Sequence, residues 1–312
     1  MGRKYDVICA GIALVDSIIK GFHPEPVSAS GYRAVSGSLH AGGEAVNEAI
    51  ALAKLGMKTG ILCRLGEDEA GEIVIRALKK HGVDTALILR EGMTPVTTLF
   101  VRGDGSRKSV TNEAHRQGFH PEREAERFTD ARAIILGSLF RAPFDDPEIL
   151  FQTAESAKEA GMLLAADTKL PNFRKLELKD IRDTLELTDW ITPNEDEAKY
   201  FTGKNTPEEM ADVFLRFGVK NAVIKLGAKG CYMKNAAQEC RLDAYPVSAV
   251  DATGAGDHFA AGLVSELLRG KAPEEALRFA NACGAVCATG IGASAALRNR
   301  EQVLELMTRC PG

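Results

Sequence analysis

The sequence predicts an α/β fold: a largely parallel sheet covered by helices on both faces, with a small β appendage inserted into it. Three observations carry that prediction. Short apolar runs alternate with longer helical patterns along most of the chain. Two segments, 12–40 and 94–112, break the alternation. Part of the complement of 30 glycines sits where an apolar run meets a helical pattern.

At ~150 residues per domain, the 312 residues suggest two domains or one large unit with an appendage. A 45% hydrophobic content at this length buries a core without disulfides or structural metal. Strands are expected at 7–10, 59–62, 133–136, 163–166, 190–192, 222–225 and 231–233. Helices are expected at 43–55, 70–81, 147–160, 195–201, 207–217, 254–269 and 273–289. The first of these helices sets Val46, Ala49, Ile50 and Ala53 on one face. Segment 12–40 holds a short apolar run and a Gly/Ser/Pro-rich passage. Segment 94–112 alternates as strands around a hairpin turn signal, Gly103-Asp104-Gly105.

Several classes are set aside. With 39 basic and 43 acidic side chains, the formal charge of -4 gives no electrostatic reason to expect nucleic acid or an anionic membrane as partner. No run reaches the ~18 apolar residues of a membrane span. The first residues lack a signal-peptide pattern. The seven cysteines are scattered without a CxxC pair, so a reduced, cytoplasmic protein is expected. Cys283 and Cys287 are expected to pack as small apolar residues. There is no GxxxxGK[ST] and no HExxH, and the glycines of 290–295 follow a helix rather than a first strand.

Four glycine-bearing junctions hold the candidate chemistry. Gly42 and Gly43 precede a helix, where a ligand can approach the free N–H groups, and Asn47 lies one turn in. Gly254, Ala255 and Gly256 open an apolar helix with almost no side chain over its first amides. That arrangement makes either an anion hole or simply a tight turn. Asp257, in the first turn, is placed to accept a proton from a hydroxyl, or else merely complements the helix dipole. Asn194 and Glu197, three apart, form a capping box or help order a magnesium ion. The Lys225–Gly230 segment ends a strand with glycines.

Taken together, these segments resemble the ribokinase-like (PfkB) family of carbohydrate kinases over nearly the whole chain. Gly42-Gly43, Asn47, Ala49, Gly56 and Gly66 fit the first signature of the family. Asp251–Val264 fits the second, D-T-x-G-A-G-D, with Ala252 where Ser, Thr, Pro or Val is usual. Asn194–Glu197 matches N-x-x-E, and Lys225-Leu226-Gly227 resembles T-L-G with Lys for Thr. The resemblance implies one doubly wound domain, 1–312, with a β-sheet lid from segments 12–40 and 94–112. It implies Asp16, Gly42, Gly43 and Asn47 on the sugar, Asp257 as general base, and Gly254, Ala255 and Gly256 as the anion hole. It further implies Lys225, Gly227, Gly230, Asn281 and Asn194 toward ATP, and Glu197 toward magnesium, through water. A potassium ion, used by some members, would lie beside Asp251 and the 290–294 loop.

The activity implied is ATP-dependent phosphorylation of a hydroxymethyl group on a sugar or sugar acid. The rival acceptor is a nucleoside, for which the lid offers Phe22, Tyr32 and Phe100. Arg33, Arg102, Arg107 and Lys108 would suit an acidic sugar, or are solvated lid-edge residues. A non-catalytic sugar-binding protein is the third reading, opposed by the intact Gly254–Asp257 segment. Exposed lid edges suggest a homodimer through the lid.

Overall fold

Strand β1 (Tyr5–Ala10) sends Val7 and Cys9 to one apolar cluster and Ile8 and Ala10 to another. Successive side chains of a strand point to opposite faces, and burial on both makes the run continuously apolar. The structure, a computed structural model, describes residues 2–21, 34–102, 106–112, 114 and 118–310. After β1 come β2 (Leu14–Lys20), β3 (Ser36–Gly42), α1 (Glu44–Lys54), β4 (Thr59–Leu62), β5 (Arg64–Leu65) and α2 (Glu69–Lys80). Next are β6 (Leu89–Arg90), β7 (Val96–Val101), β8 (Arg107–Thr111), α3 (Ala125–Phe128), β9 (Ala131–Leu139), α4 (Pro147–Glu159) and β10 (Leu163–Thr168). The chain continues through α5 (Arg182–Leu187), β11 (Trp190–Ile191), α6 (Glu195–Thr202), α7 (Pro207–Arg216), β12 (Asn221–Lys225), β13 (Cys231–Asn235) and β14 (Glu239–Leu242). It ends with α8 (Ala255–Leu268), α9 (Pro273–Ala288) and α10 (Arg300–Arg309).

The main sheet has eight strands in the order β14-β13-β12-β11-β10-β9-β1-β4. From β4 to β12 the pairs are parallel, and β13 and β14 are antiparallel. Helices α1, α2, α8, α9 and α10 pack on one face, α3 to α7 on the other. The chain leaves β1 for β4 on one side and returns to β9 on the other. Strand order therefore reverses between β1 and β9, and sheets of this kind bind ligands outside the carboxyl ends at such a point.

A second, four-stranded sheet has the order β3-β2-β7-β8. Its strands come from the two segments that interrupt the alternation. β2 and β7 pair in parallel, the outer pairs antiparallel. Leu39 on one edge strand and Val110 on the other are 57% and 64% exposed. The Gly103-Asp104-Gly105 turn, Phe22, Tyr32 and Arg33 lie outside the described residues. No helix among the described residues is long and apolar enough to cross a membrane.

The structure adds elements that periodicity does not reveal. Of α10 only Val303 is fully buried, and of β14 only Leu242, so neither carries a strong apolar pattern. It also moves two helix starts. Gly43 and Gly254 are not the first helical residues but the caps before them, with φ of 99° and 79°. Cys283 and Cys287 are buried and unpaired, in keeping with their reading as small apolar residues.

Candidate active site

The first turn of α8 is shaped by Gly254. Its φ of 79° is in the left-handed region, and a Cβ there would stand 2.7 Å from Ala293 O, so only glycine fits. The Ala255 N–H donates to Ala252 O at 3.1 Å, and the first helical bond runs from His258 N to Gly254 O at 3.0 Å. Between them the amides of Gly256 and Asp257 have no backbone acceptor among the described residues. These two amides and that of Gly254, which likewise has no backbone acceptor among the described residues, are with the helix dipole the donors an anion would meet. The Ala255 amide, expected among them, is instead consumed within the turn.

Asp257 is 7% exposed, and Asn47 of α1 donates from Nδ2 to its Oδ2 at 2.7 Å. Burial, then the negative charges of Glu44 and Asp167, push its carboxyl up to about 7. Lys169 and the Asn47 hydrogen bond act in the opposite sense. A carboxyl in that range is suited to take a proton near neutral pH.

On the β3 side stand Asp16, Gly42 and Gly43. Gly42 packs on the Asp16 carboxylate, which a Cβ would displace, and Gly43 packs on Ile12 O so closely that no Cβ fits. Burial and the neighbouring Glu44 push Asp16 up to about 6, with His40 opposing. Glu44 itself meets Lys169 Nζ at 2.8 Å and accepts a hydrogen bond from Ser138 Oγ. Against the upward push of burial, these partners hold Glu44 down to about 2. Ser138 reaches it from the end of β9 with φ of 62°, a strained conformation for a residue other than glycine. A cavity of about 380 Å³ lies alongside, lined in part by Gly11, Ala13, Arg64, Phe119 and Arg174; it does not reach Asp257.

On the other side, Lys225 ends β12 and its Nζ meets Asp167 Oδ1 at 2.6 Å. Thr192 Oγ1 donates to the same oxygen at 2.8 Å. Asn194 caps α6, and Glu197 Oε2 returns to Asn194 N at 3.0 Å while also accepting from Thr168 Oγ1 at 2.9 Å. The capping box is therefore real. Gly227 is exposed with open space over it, a shelf a flat ligand can approach. Gly230 is required by the chain itself, since Leu242 O occupies the place of a Cβ. Asn281 Nδ2 donates to Asp243 O at 3.4 Å. Asp251 ties two loops, accepting from Thr253 N and from Gly292 N at 3.0 Å each.

Four residues of this cluster escaped the sequence reading: Glu44, Glu48, Asp167 and Lys169. Asp167 lies at the carboxyl end of β10 and Lys169 directly follows it, which is the place in a parallel sheet to look for ligand contacts. Glu44 adjoins the glycine pair. Glu48 is fully buried with neither carboxylate oxygen hydrogen-bonded among the described residues. Burial and the charges of Asp257, Asp167 and Glu44 raise it well above the usual carboxylate range. Nothing local distinguishes it from a surface glutamate.

Among the described residues no group of three or more His, Cys, Asp or Glu side chains is arranged to hold a metal ion. Glu197 in α6 and Asp167 in β10 are the buried carboxylates on this side of the site.

A family model described as pfkB family carbohydrate kinase matches residues 6–300. The chain is 29% identical to a ribokinase of Haemophilus influenzae over 274 residues, covering 85% of this chain and 87% of that one. It is likewise 29% identical to a 2-dehydro-3-deoxygluconokinase of Bacillus subtilis over 287 residues, covering 84% and 85%. The solved structure of Arabidopsis thaliana ribokinase complexed with ribose and ATP matches with a TM-score of 0.85 and 26% identity, covering 98% of this chain and 99% of that one.

Proposed function

The chain belongs to the pfkB family of carbohydrate kinases, and on that premise we propose that it transfers the γ-phosphoryl group of ATP to a hydroxymethyl hydroxyl of a sugar or sugar acid. The observation that carries the proposal is Asp257: buried beside unpaired helix amides, oriented by Asn47, and raised to about 7. In the reaction Asp257 takes the proton of the acceptor hydroxyl. The oxygen bonds to the γ-phosphorus as the bond to the bridging oxygen of ADP breaks. The Gly256 and Asp257 amides face the negative charge of the group in transit, and such preorganised donors act most strongly where water is excluded.

Asp16, with Gly42 and Gly43 packed around it, accepts hydrogen bonds from sugar hydroxyls. The four-stranded sheet, β3-β2-β7-β8, closes over them as a lid and keeps water from competing for the phosphoryl group. Gly227 and Asn281 line the nucleotide side. Magnesium supplies charge neutralisation at the phosphates, with its waters held by Glu197 and Asp167. Potassium beside Asp251 belongs to the same proposal; exchange of potassium for tetramethylammonium should lower the rate, and an unchanged rate removes it. The exposed lid edges at Leu39 and Val110 support a homodimer, and the free cysteines a reducing cytoplasm.

The test is ADP release over ketoses, pentoses, sugar acids and nucleosides, with Asp257→Asn as control. ADP formation with one sugar or sugar acid, lost in the variant, is expected. Preference for a nucleoside would replace the acceptor class, and sugar binding without ADP release would replace the activity.

A further inference from the structure

Lys225 stands where T-L-G members carry threonine, and its surroundings say what the longer side chain does. Its backbone is pinned at the end of β12, with Lys225 N donating to Pro193 O at 2.9 Å. The side chain is 11% exposed, so most of it is out of water. Of its three N–H groups, one is accounted for by Asp167 Oδ1 at 2.6 Å. Nζ also reaches the first turn of α8, where a Cβ on Gly256 would lie 3.0 Å from it. The lysine therefore crosses from one strand end to the edge of the amide turn that faces the anion.

We infer that Lys225 is a catalytic residue whose ammonium, aimed by Asp167, contacts the γ-phosphoryl group beside the Gly256 amide. The inference rests on the kinase reading and deepens it by naming the cation the chain itself contributes. A buried ammonium with a single carboxylate partner keeps donors for a second anion, and charge-assisted bonds of this kind are strong. Thr192, donating to the same Asp167 oxygen, fixes the carboxylate that fixes the lysine. A Cβ on Gly256 would have to push the ammonium aside.

Binding without turnover tests this. Mg·AMP-PNP carries a γ-phosphoryl group and Mg·ADP does not, so calorimetric titration of the full chain with each separates contact at that group from general damage. For Lys225→Met, affinity for AMP-PNP should fall roughly tenfold to a hundredfold, the range for a hydrogen bond to a charged group. Affinity for ADP should change less than about twofold, the margin within which titration distinguishes nothing. Lys225→Thr and Lys225→Arg are titrated alongside, so that one misfolded variant does not void the result. Threonine should show the same selective loss, and arginine should keep part of the preference. Equal weakening of both nucleotides in folded variants would make Lys225 a structural partner of Asp167 and overturn the inference. No weakening of either would overturn it too. A wild-type chain that binds neither nucleotide would instead sink the kinase reading itself.

Discussion

Replacing Asp257 by asparagine should remove activity and, above about pH 7, make the protein more stable. In an unfolded chain this carboxyl titrates at 3.8, and in the fold at about 7. Between those values the folded state holds more protons than the unfolded one, so stability falls as pH rises. Below 3.8 both states are protonated and the group contributes nothing. Above about 7 both are ionised and the full penalty of a buried charge applies. A gap of about three units at 1.36 kcal/mol each is about 4 kcal/mol. Asparagine relieves part of that, because its amide oxygen still accepts from Asn47 but its amide nitrogen then needs a partner. Urea unfolding at pH 8 should show the variant more stable by about 2–3 kcal/mol, with an unchanged slope. The advantage should shrink toward zero as pH approaches 4. Glu48 is raised in part by the Asp257 charge, so removing that charge relaxes Glu48 as well and acts in the same direction. Turnover should fall ~10²–10⁴-fold. A variant no more stable than wild type at pH 8, or a gain independent of pH, would refute the assignment of a buried, raised carboxyl.

Three further outcomes follow from the same contacts. Lys169→Met removes the cation that lowers the Asp257 pKa, so the acidic limb of the kcat/KM profile should move up by about one unit; a limb that stays put counts against the coupling. Glu48→Met replaces two unpaired buried oxygens with an apolar chain of similar volume, and thermal unfolding should show a gain of about 1–3 kcal/mol. A loss of stability would mean those oxygens have partners in solution. Gly254→Ala forces a Cβ against Ala293 O at positive φ and should cost about 1–3 kcal/mol together with most of the turnover, read by unfolding and ADP release; normal activity would show that the amide turn does not depend on that φ.

Much of the fold was legible because its signals are local. Residues 7–10 of β1 and 133–136 of β9 read as unbroken apolar runs, and helix α1 shows its buried face directly. Asn194 and Glu197 announce a capping box three residues apart, and the structure contains it. The glycine junctions were legible too, though one residue out: Gly43 and Gly254 cap their helices instead of starting them. What could not be read is pairing between distant elements. Lys169 after β10 meets Glu44 of α1, Ser138 near the end of β9 meets the same carboxylate, and Lys225 of β12 meets Asp167 of β10. A charge beside a strand end carries no mark of its partner until the strands are set in order.

Asp257 shows how large that gap becomes. Read locally, an aspartate in the first turn of a helix sits in a positive dipole, which favours the ionised form by about 0.3–1 kcal/mol, less than one pH unit. That predicts a carboxyl below its ordinary value and a residue that stabilises its helix at neutral pH. Burial acts in the opposite direction and is worth up to 3–5 units for a fully enclosed group. The structure encloses Asp257 and sets Glu44 and Asp167 near it, so the larger effect wins and the sign reverses. The same residue thus changes from a helix-start ornament into a group that is half protonated near neutral pH. The enclosing elements, α1 with Asn47 and Glu44 and the strand end with Asp167, come from far along the chain. Proton affinity at this site is therefore a property of the assembled fold, and the stability experiment on Asp257→Asn measures that assembly directly.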